Sequence, residues 1–326
     1  MFKENEKLKY KNLEGIDAKL SALVYGSPAP IADGGKSESQ ECYEAAFEAG
    51  FRVFDTANSY GNSEENMGAW LAATGKREDV VILDKGHNPG TLYMKPDEYG
   101  AATIREQMKL SLDRLQTEYV DMYILHRDDA SKPVGEIVEV LTELHEKGMV
   151  RRFGGSNWTF ARIMEANAYA KEHGLTGFSV FSPQFSYAKL SNDPWGVSVS
   201  LRSDDNEEYR KWLTDTQFPA FNYSSIARGF LSGKYHSDNR KPIEECIGQA
   251  PIMEYNTPDN VERLRRAEVI AAKYFYTVPQ VALAWIMRQP MNMFPIVSPT
   301  GEGHLKEIVT ASEIVLSDED MEFLNV

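Results

Sequence analysis

Eight short β-branched or aromatic runs, each followed by a longer amphipathic or polar stretch, constrain this chain more than any other feature. The runs are Leu20 to Tyr25, Arg52 to Thr56, Val80 to Gly86, Val120 to Arg127, Arg151 to Ser156, Phe178 to Gln184, Phe218 to Tyr223 and Phe294 to Ser298. Alternation of strand and helix patterns calls for a parallel sheet, because each helical crossover returns the chain to the same end of the next strand. Helices are expected over Ser37 to Ala49, Ser63 to Ala73, Pro96 to Leu115, Pro133 to Glu146, Phe160 to Glu172 and Glu207 to Thr216. Further helices follow over Asp259 to Tyr274, Pro279 to Arg288 and Gly303 to Ala311. One helix before the last strand is surplus to a simple repeat and is expected as a decoration. Ser37, Ser63 and Thr257 stand where N-caps belong, and Gly50, Gly148 and Gly174 where a left-handed residue closes a helix. The turn Gly26-Ser27-Pro28-Ala29-Pro30 lacks the glycine fingerprint of a doubly wound sheet. The expected fold is therefore α/β, a (β/α)8 TIM barrel, with residues 1–326 as a single domain.

Bulk properties narrow the partners. A net charge of −14 and a pI near 5.0 argue against nucleic acid, whose binding draws on clustered Lys and Arg. No run approaches the roughly 18 apolar residues of a membrane span, and the polar opening Met1 to Lys7 lacks a signal core, so a cytoplasmic protein away from membranes is expected. Cys42 and Cys246 are far apart and without metal spacing, which fits a reducing compartment. Gly34-Gly35-Lys36-Ser37 imitates the end of a phosphate-binding loop, but Pro30 stands where its first glycine belongs. His145-Glu146 begins a zinc-protease pattern, yet position 149 is Met. No metal site is expected.

Asp55, Tyr60, Lys85 and His126 fall at or just beyond the ends of successive strand runs. A parallel barrel gathers those ends at one mouth, where catalytic residues sit. A tyrosine titrates at about pH 10, so it is a poor acid near neutrality unless a cation stabilises its phenolate. Lys85 supplies such a charge, an ionised Asp55 would hold it, and His126 could hydrogen-bond a reacting oxygen. The set contains no obvious nucleophile and no metal cage. It suits moving a proton on and off an alcohol oxygen while a cofactor carries hydride. Taken singly, each residue has a plainer reading as loop surface, ion pair or satisfied polar group; their joint placement favours chemistry.

The motifs Phe54-Asp55-Thr56-Ala57-Asn58-Ser59-Tyr60-Gly61, Lys85-Gly86, Tyr123-Ile124-Leu125-His126-Arg127, Gly154-Gly155-Ser156-Asn157-Trp158 and Tyr223-Ser224-Ser225-Ile226-Ala227-Arg228-Gly229 resemble the aldo-keto reductase family, of bacterial type. The resemblance covers nearly the whole chain, in the family's order and spacing. It implies a nicotinamide cofactor bound without a Rossmann domain, Tyr60 as acid/base, Lys85 and Asp55 tuning it, and His126 orienting the carbonyl. Ser156, Asn157 and Gln184 resemble the residues that hydrogen-bond the nicotinamide carboxamide, and Tyr223 the aromatic that stacks on its ring. The stretch Ser224 to Lys234, with Ile226, Arg228 and Gly229, resembles the loop over the pyrophosphate.

The match breaks after the eighth strand, where the family usually carries basic residues for the 2′-phosphate of NADP. Here Ser298-Pro299-Thr300-Gly301-Glu302-Gly303-His304 has no Arg or Lys. Ser298, Thr300 and His304 are the remaining candidates for ribose or phosphate, with Lys306 able to reach back from the next turn. NADP(H) is the family default, but with the clamp absent NAD(H) is expected to serve at least as well. Tyr25, His87, Arg127 and Trp158 are candidate substrate contacts, a mixture that suits a polar carbonyl or alcohol such as an aldehyde, ketone, sugar or polyol. Arg127 also has a plainer reading, as an ion-pair partner of Asp128. A different class remains open, a cofactor-binding or regulatory subunit with weak catalysis. The expected partner is a small-molecule substrate; homo-oligomer formation is left open.

Overall fold

A computed structural model describes residues 8–27, 40–89, 94–95, 98–238 and 241–325. The chain divides into two compact units, Tyr10–Ser182 and one built on Pro183–Val326. The first unit opens with a hairpin, β1 (Tyr10–Leu13) and β2 (Ile16–Ser21), turning at Gly15 with φ 74°. The parallel strands follow: β3 (Val24–Gly26), β4 (Val53–Asp55), β5 (Val81–Gly86), β6 (Val120–Leu125), β7 (Val150–Ser156) and β8 (Val180–Ser182). They lie side by side in sequence order. Between them run α1 (Gln40–Glu48), α2 (Ser63–Thr74), α3 (Ala101–Leu115), α4 (Val134–Glu146) and α5 (Phe160–His173).

Every residue of β5 and β6 is buried, as expected for parallel strands covered on both faces. Register then decides which side chains share a face. Asp55 pairs with Leu83, and Lys85 with Ile124, so Asp55, Lys85 and the residue after β6, His126, lie on one face. Phe54, Asp84 and Tyr123 take the other, the helix-facing side. There Phe54 packs against Tyr43 of α1, Trp70 of α2 and Tyr25, with ring centroids 5.2 to 6.1 Å apart.

The strands sit close. A Cβ on Gly154 of β7 would lie 1.8 Å from the Val180 carbonyl oxygen and 3.3 Å from a Val180 methyl. Gly154→Ala is expected to reduce unfolding free energy by about 3 kcal/mol, read from urea denaturation, because β7 and β8 must part to admit the methyl. An unchanged urea midpoint would show that they part freely.

The second unit contains α6 (Glu207–Thr216), α7 (Ile243–Cys246), α8 (Gln249–Tyr255), α9 (Pro258–Tyr274), α10 (Val278–Met287), β9 (Ile296–Val297), α11 (Glu302–Ala311) and α12 (Asp318–Leu324). The short α7 and α8 add to the expected helices, and α9 begins, as read from the sequence, with a Thr257 cap and Pro258.

Among the described residues, seven of the eight expected strands appear as regular strands. The exception is Phe218 to Tyr223, which makes only isolated bridges: Ala220 to Met293 and Tyr223 to Gln184. Its backbone still bonds alternately, with Ala220 N donating to Asn292 O and Phe294 N to Ala220 O, but Pro219 has no N–H to extend the ladder. The first expected strand is also broken. Leu20 to Tyr25 divides into the end of β2 and the start of β3, so the hairpin went unread.

Helix starts differ in detail. Asn62 stands at the N-cap position of α2 without a side-chain capping bond, while Ser63, expected there, is the first helical residue, buried with its Oγ 2.8 Å from Thr56 Oγ1. Ser37, Pro96 and Gly34 to Lys36 lie outside the described residues.

Candidate active site

Three strand ends and one loop bring Asp55, Lys85, His126 and Tyr60 together. The strands continue past their last regular residues through backbone bonds: Thr56 N to Leu83 O, Asn58 N to Lys85 O, and His126 N to Gly86 O, each 2.8 to 2.9 Å. Lys85 Nζ donates to Asp55 Oδ1, and both side chains are almost fully buried. The ammonium lies 5.2 Å from the centre of the Tyr60 ring, and the Tyr60 hydroxyl is 3.4 Å from His126 Nε2.

Burial opposes ionisation of Asp55 and raises its pKa, against the pull of Lys85. Burial works against charge on Lys85 too, but Asp55 and Tyr60 outweigh it and hold its proton on. His126 is pushed well below its ordinary value, by burial first and then by the Lys85 and Arg127 cations, so its imidazole is neutral. Tyr60 departs from the sequence expectation. Burial raises the phenol above its usual value, with Lys85 and Arg127 only partly offsetting it, so the resting group is a protonated phenol and not a phenolate.

Ser156 and Asn157 extend the same region of this unit. Ser156 Oγ donates to Ser182 O at 2.8 Å, and Asn157, with φ 60°, directs Nδ2 to His126 O at 3.4 Å. His87, also with positive φ, is fully buried; its Nε2 accepts from Gly100 N at 3.1 Å, and burial lowers its pKa to about 4. Arg127 is half-buried and donates to His126 O at 3.1 Å. Asp128 takes a two-pronged pair from Arg162 of α5, at 2.8 and 3.1 Å.

One candidate substrate contact is corrected. Tyr25 pairs in register with Phe54 and packs on Tyr43 and Phe51, so it faces the helices, away from Asp55. Trp158 is fully buried, its ring seated over Gly155 where a Cβ would come within 2.4 Å, and 4.8 Å from Phe178.

The second unit holds the other candidates. Gln184 is buried and donates to Ser186 Oγ at 3.3 Å and Tyr255 Oη at 3.2 Å, leaving its Oε1 without a partner among the described residues. Tyr223 is half-exposed beside Trp195, with ring centroids 6.4 Å apart. Ser224, Ala227, Arg228 and Gly229 all have positive φ, between 52° and 106°, and Ile226 lies within that run. Such a run turns backbone N–H groups toward one side, as anion sites require. Arg228 is paired with the buried Glu254 at 2.5 Å, a partner the sequence did not suggest. Lys234 is exposed. Ser298, Thr300 and His304 are exposed, with Thr300 Oγ1 and His304 Nδ1 2.7 Å apart, and Lys306 is paired with Glu302 at 3.1 Å.

Among the described residues, no three His, Cys, Asp or Glu side chains are grouped to hold a metal, and no single helix is long and apolar enough to cross a membrane.

Residues 32–325 match the model of the aldo/keto reductase family. The chain belongs to that family, whose members are generally oxidoreductases, and this gives it a TIM-barrel-like fold. It is 28% identical to aldo-keto reductase str7 of Strobilurus tenacellus over 280 residues, covering 85% of this chain and 77% of that one. It is equally 28% identical to a probable voltage-gated potassium channel subunit beta of Arabidopsis thaliana, covering 94% and 92%. Among solved structures, an aldo/keto reductase from Klebsiella pneumoniae in complex with NADP and acetate superposes with a TM-score of 0.67. Its identity is 22%, with 98% of this chain and 94% of that one covered.

Proposed function

We propose that this protein, as one barrel domain, transfers hydride between NAD(P)(H) and a polar carbonyl or alcohol, with Tyr60 as general acid/base. The observation that carries the reading is the Tyr60 hydroxyl 3.4 Å from a neutral His126 and beside the buried Lys85–Asp55 pair. Membership of an oxidoreductase family supports it.

The chain's residues suit a nicotinamide cofactor. Within the unit built on Pro183–Val326, Gln184 Oε1, without a partner among the described residues, can accept a carboxamide N–H, Tyr223 offers a ring face, and the run from Ser224 to Gly229 with Lys234 can meet phosphate oxygens; within the other unit, Ser156 and Asn157 carry hydroxyl and amide groups of the kind the family resemblance gives to carboxamide binding. When bound, such a cofactor supplies or accepts hydride. The protein's own groups handle the oxygen. His126 Nε2 donates a hydrogen bond to the substrate oxygen, and Tyr60 delivers its proton there in reduction or takes it back in oxidation. Lys85 stabilises the phenolate left behind, and Asp55 keeps Lys85 charged and aimed. His87 accepts at Nε2, so its neutral ring carries the proton on Nδ1, which has no partner among the described residues. His87 and Arg127 are the substrate contacts in this reading, and the protein acts in the cytoplasm on an aldehyde, ketone, sugar or polyol.

Cofactor choice follows from the α11 start. Ser298 to His304 carries no Arg or Lys, Glu302 adds negative charge, and Lys306 is held by that glutamate, so a 2′-phosphate meets no guanidinium fork. NADH is expected to give a kcat/KM at least equal to that with NADPH in glyceraldehyde reduction; a strong preference for NADPH would defeat this. The similarity to a plant channel subunit favours a second reading, a cofactor-holding regulatory subunit. Quenching of NADPH fluorescence without Tyr60-dependent turnover, across aldehydes, sugars and polyols tested in both directions, would establish that reading and overturn the enzyme.

A further inference from the structure

The helix-facing side of the same strands carries a buried charge cluster that the chemistry above does not use. Asp84 of β5 and Glu64 of α2 are both fully buried, and burial raises both carboxyl pKa values. Tyr123 of β6 brings its hydroxyl into the space over Gly86, where a Cβ would lie 1.9 Å from it. The cation in this cluster is Arg114 of α3. Its Nη1 donates to Glu64 Oε2 at 2.8 Å and to the Asn58 carbonyl at 3.4 Å, and its Nε lies 3.0 Å from Glu65 Oε1.

The Asn58 contact matters because of what that loop carries. Asn58 N–H donates to the Lys85 carbonyl at 2.9 Å, and two residues on, Tyr60 closes a turn with its N–H on Ala57 O at 3.0 Å. Asn58 is thus gripped from both sides, by the backbone of Lys85 and by Arg114. Gly68 of α2 reinforces this, since a Cβ there would sit 2.2 Å from the Arg114 carbonyl oxygen; α2 and α3 are in backbone contact at that point.

We propose that Arg114 is a positioning residue for Tyr60, bridging Glu64 to the Asn58 carbonyl and so fixing the turn that carries the phenol relative to Lys85. The inference rests on the reading of Tyr60 as acid/base. Proton transfer is sensitive to displacement on the ångström scale, so a loosened turn lowers turnover without removing any group that binds cofactor.

The test uses the full chain with NADPH and glyceraldehyde. Arg114→Met is expected to lower kcat about tenfold or more, with the Kd for NADPH, from fluorescence quenching, within about twofold. Arg114→Lys, which still reaches Glu64, is expected to recover much of the loss. In a Tyr60→Phe background Arg114→Met is expected to change the residual rate by less than about twofold, because there is no phenol left to place. If Arg114→Met does not fold, Glu64→Gln carries the test: it removes the partner charge while keeping shape, and should show the same kcat loss and the same dependence on Tyr60. Unchanged kcat in the folded variant, or an equal loss in the Tyr60→Phe background, overturns the positioning role. If Tyr60→Phe itself turns over like the parent, the acid/base reading fails instead.

Discussion

Tyr60→Phe is expected to lower kcat by about 10³-fold while leaving the Kd for NADPH within about twofold. The substitution removes one oxygen. The ring remains 5.2 Å from the Lys85 ammonium, and the buried pair beneath it is untouched. The size follows from the protonation state. Burial keeps the phenol protonated at rest, so in reduction it is ready to donate, and without it the forming alkoxide has only a neutral His126 to meet it. Water is a poor substitute in a site whose Asp55, Lys85 and His126 are all nearly buried. Steady-state rates with glyceraldehyde, alongside NADPH quenching titrations, check both halves. A variant within about tenfold of the parent would mean that another group moves the proton.

Lys85→Met should produce the largest loss of stability, about 3–5 kcal/mol near neutral pH, together with a fall in kcat of at least about 10²-fold. Methionine fits the stem of the lysine but leaves the Asp55 carboxylate buried with no cation. Asp55 then stays protonated in the folded state to a higher pH than in the unfolded chain, where it titrates at about 3.9. A folded pKa raised in this way contributes stability below the unfolded pKa, and that contribution is lost as pH rises through the folded value. The deficit relative to the parent should therefore be smaller at about pH 5 than at about pH 8, read from urea midpoints at the two values. A deficit equal at the two pH values would show that Asp55 stays ionised in the variant. Adding Asp55→Asn to Lys85→Met should recover stability, since no charge then remains to be desolvated.

The grouping of Asp55, Lys85 and His126 was legible because strands repeat every two residues and parallel strands present their ends together. Asp55 and Lys85 share a face by register, and His126 follows the end of β6 by the same parity. Other residues escaped this reasoning for identifiable causes. Tyr25 was read as part of one strand beginning at Leu20, but the chain breaks after Ser21 and resumes at Val24, and its ring turns toward the helices. Trp158 follows Asn157, whose positive φ redirects the chain, so strand parity no longer applies. Glu64 stands in the first turn of α2, yet it is buried against Arg114, fifty residues later in the chain. Asp128 takes its two-pronged pair from Arg162 for the same reason: the contact is made by a helix the sequence does not place beside it.

The sequence by itself determined the order of strands and helices, and the types of residue standing at the strand ends, because both follow from local periodicity and backbone chemistry. The tertiary structure decided which face each side chain takes, which charges are paired and which protons stay on. Those depend on how much water the packed helices exclude, and on partners tens of residues away. Burial around Tyr60 and Asp55, and the Asp55 and Tyr60 groups beside Lys85, therefore set protonation states that composition and spacing leave open.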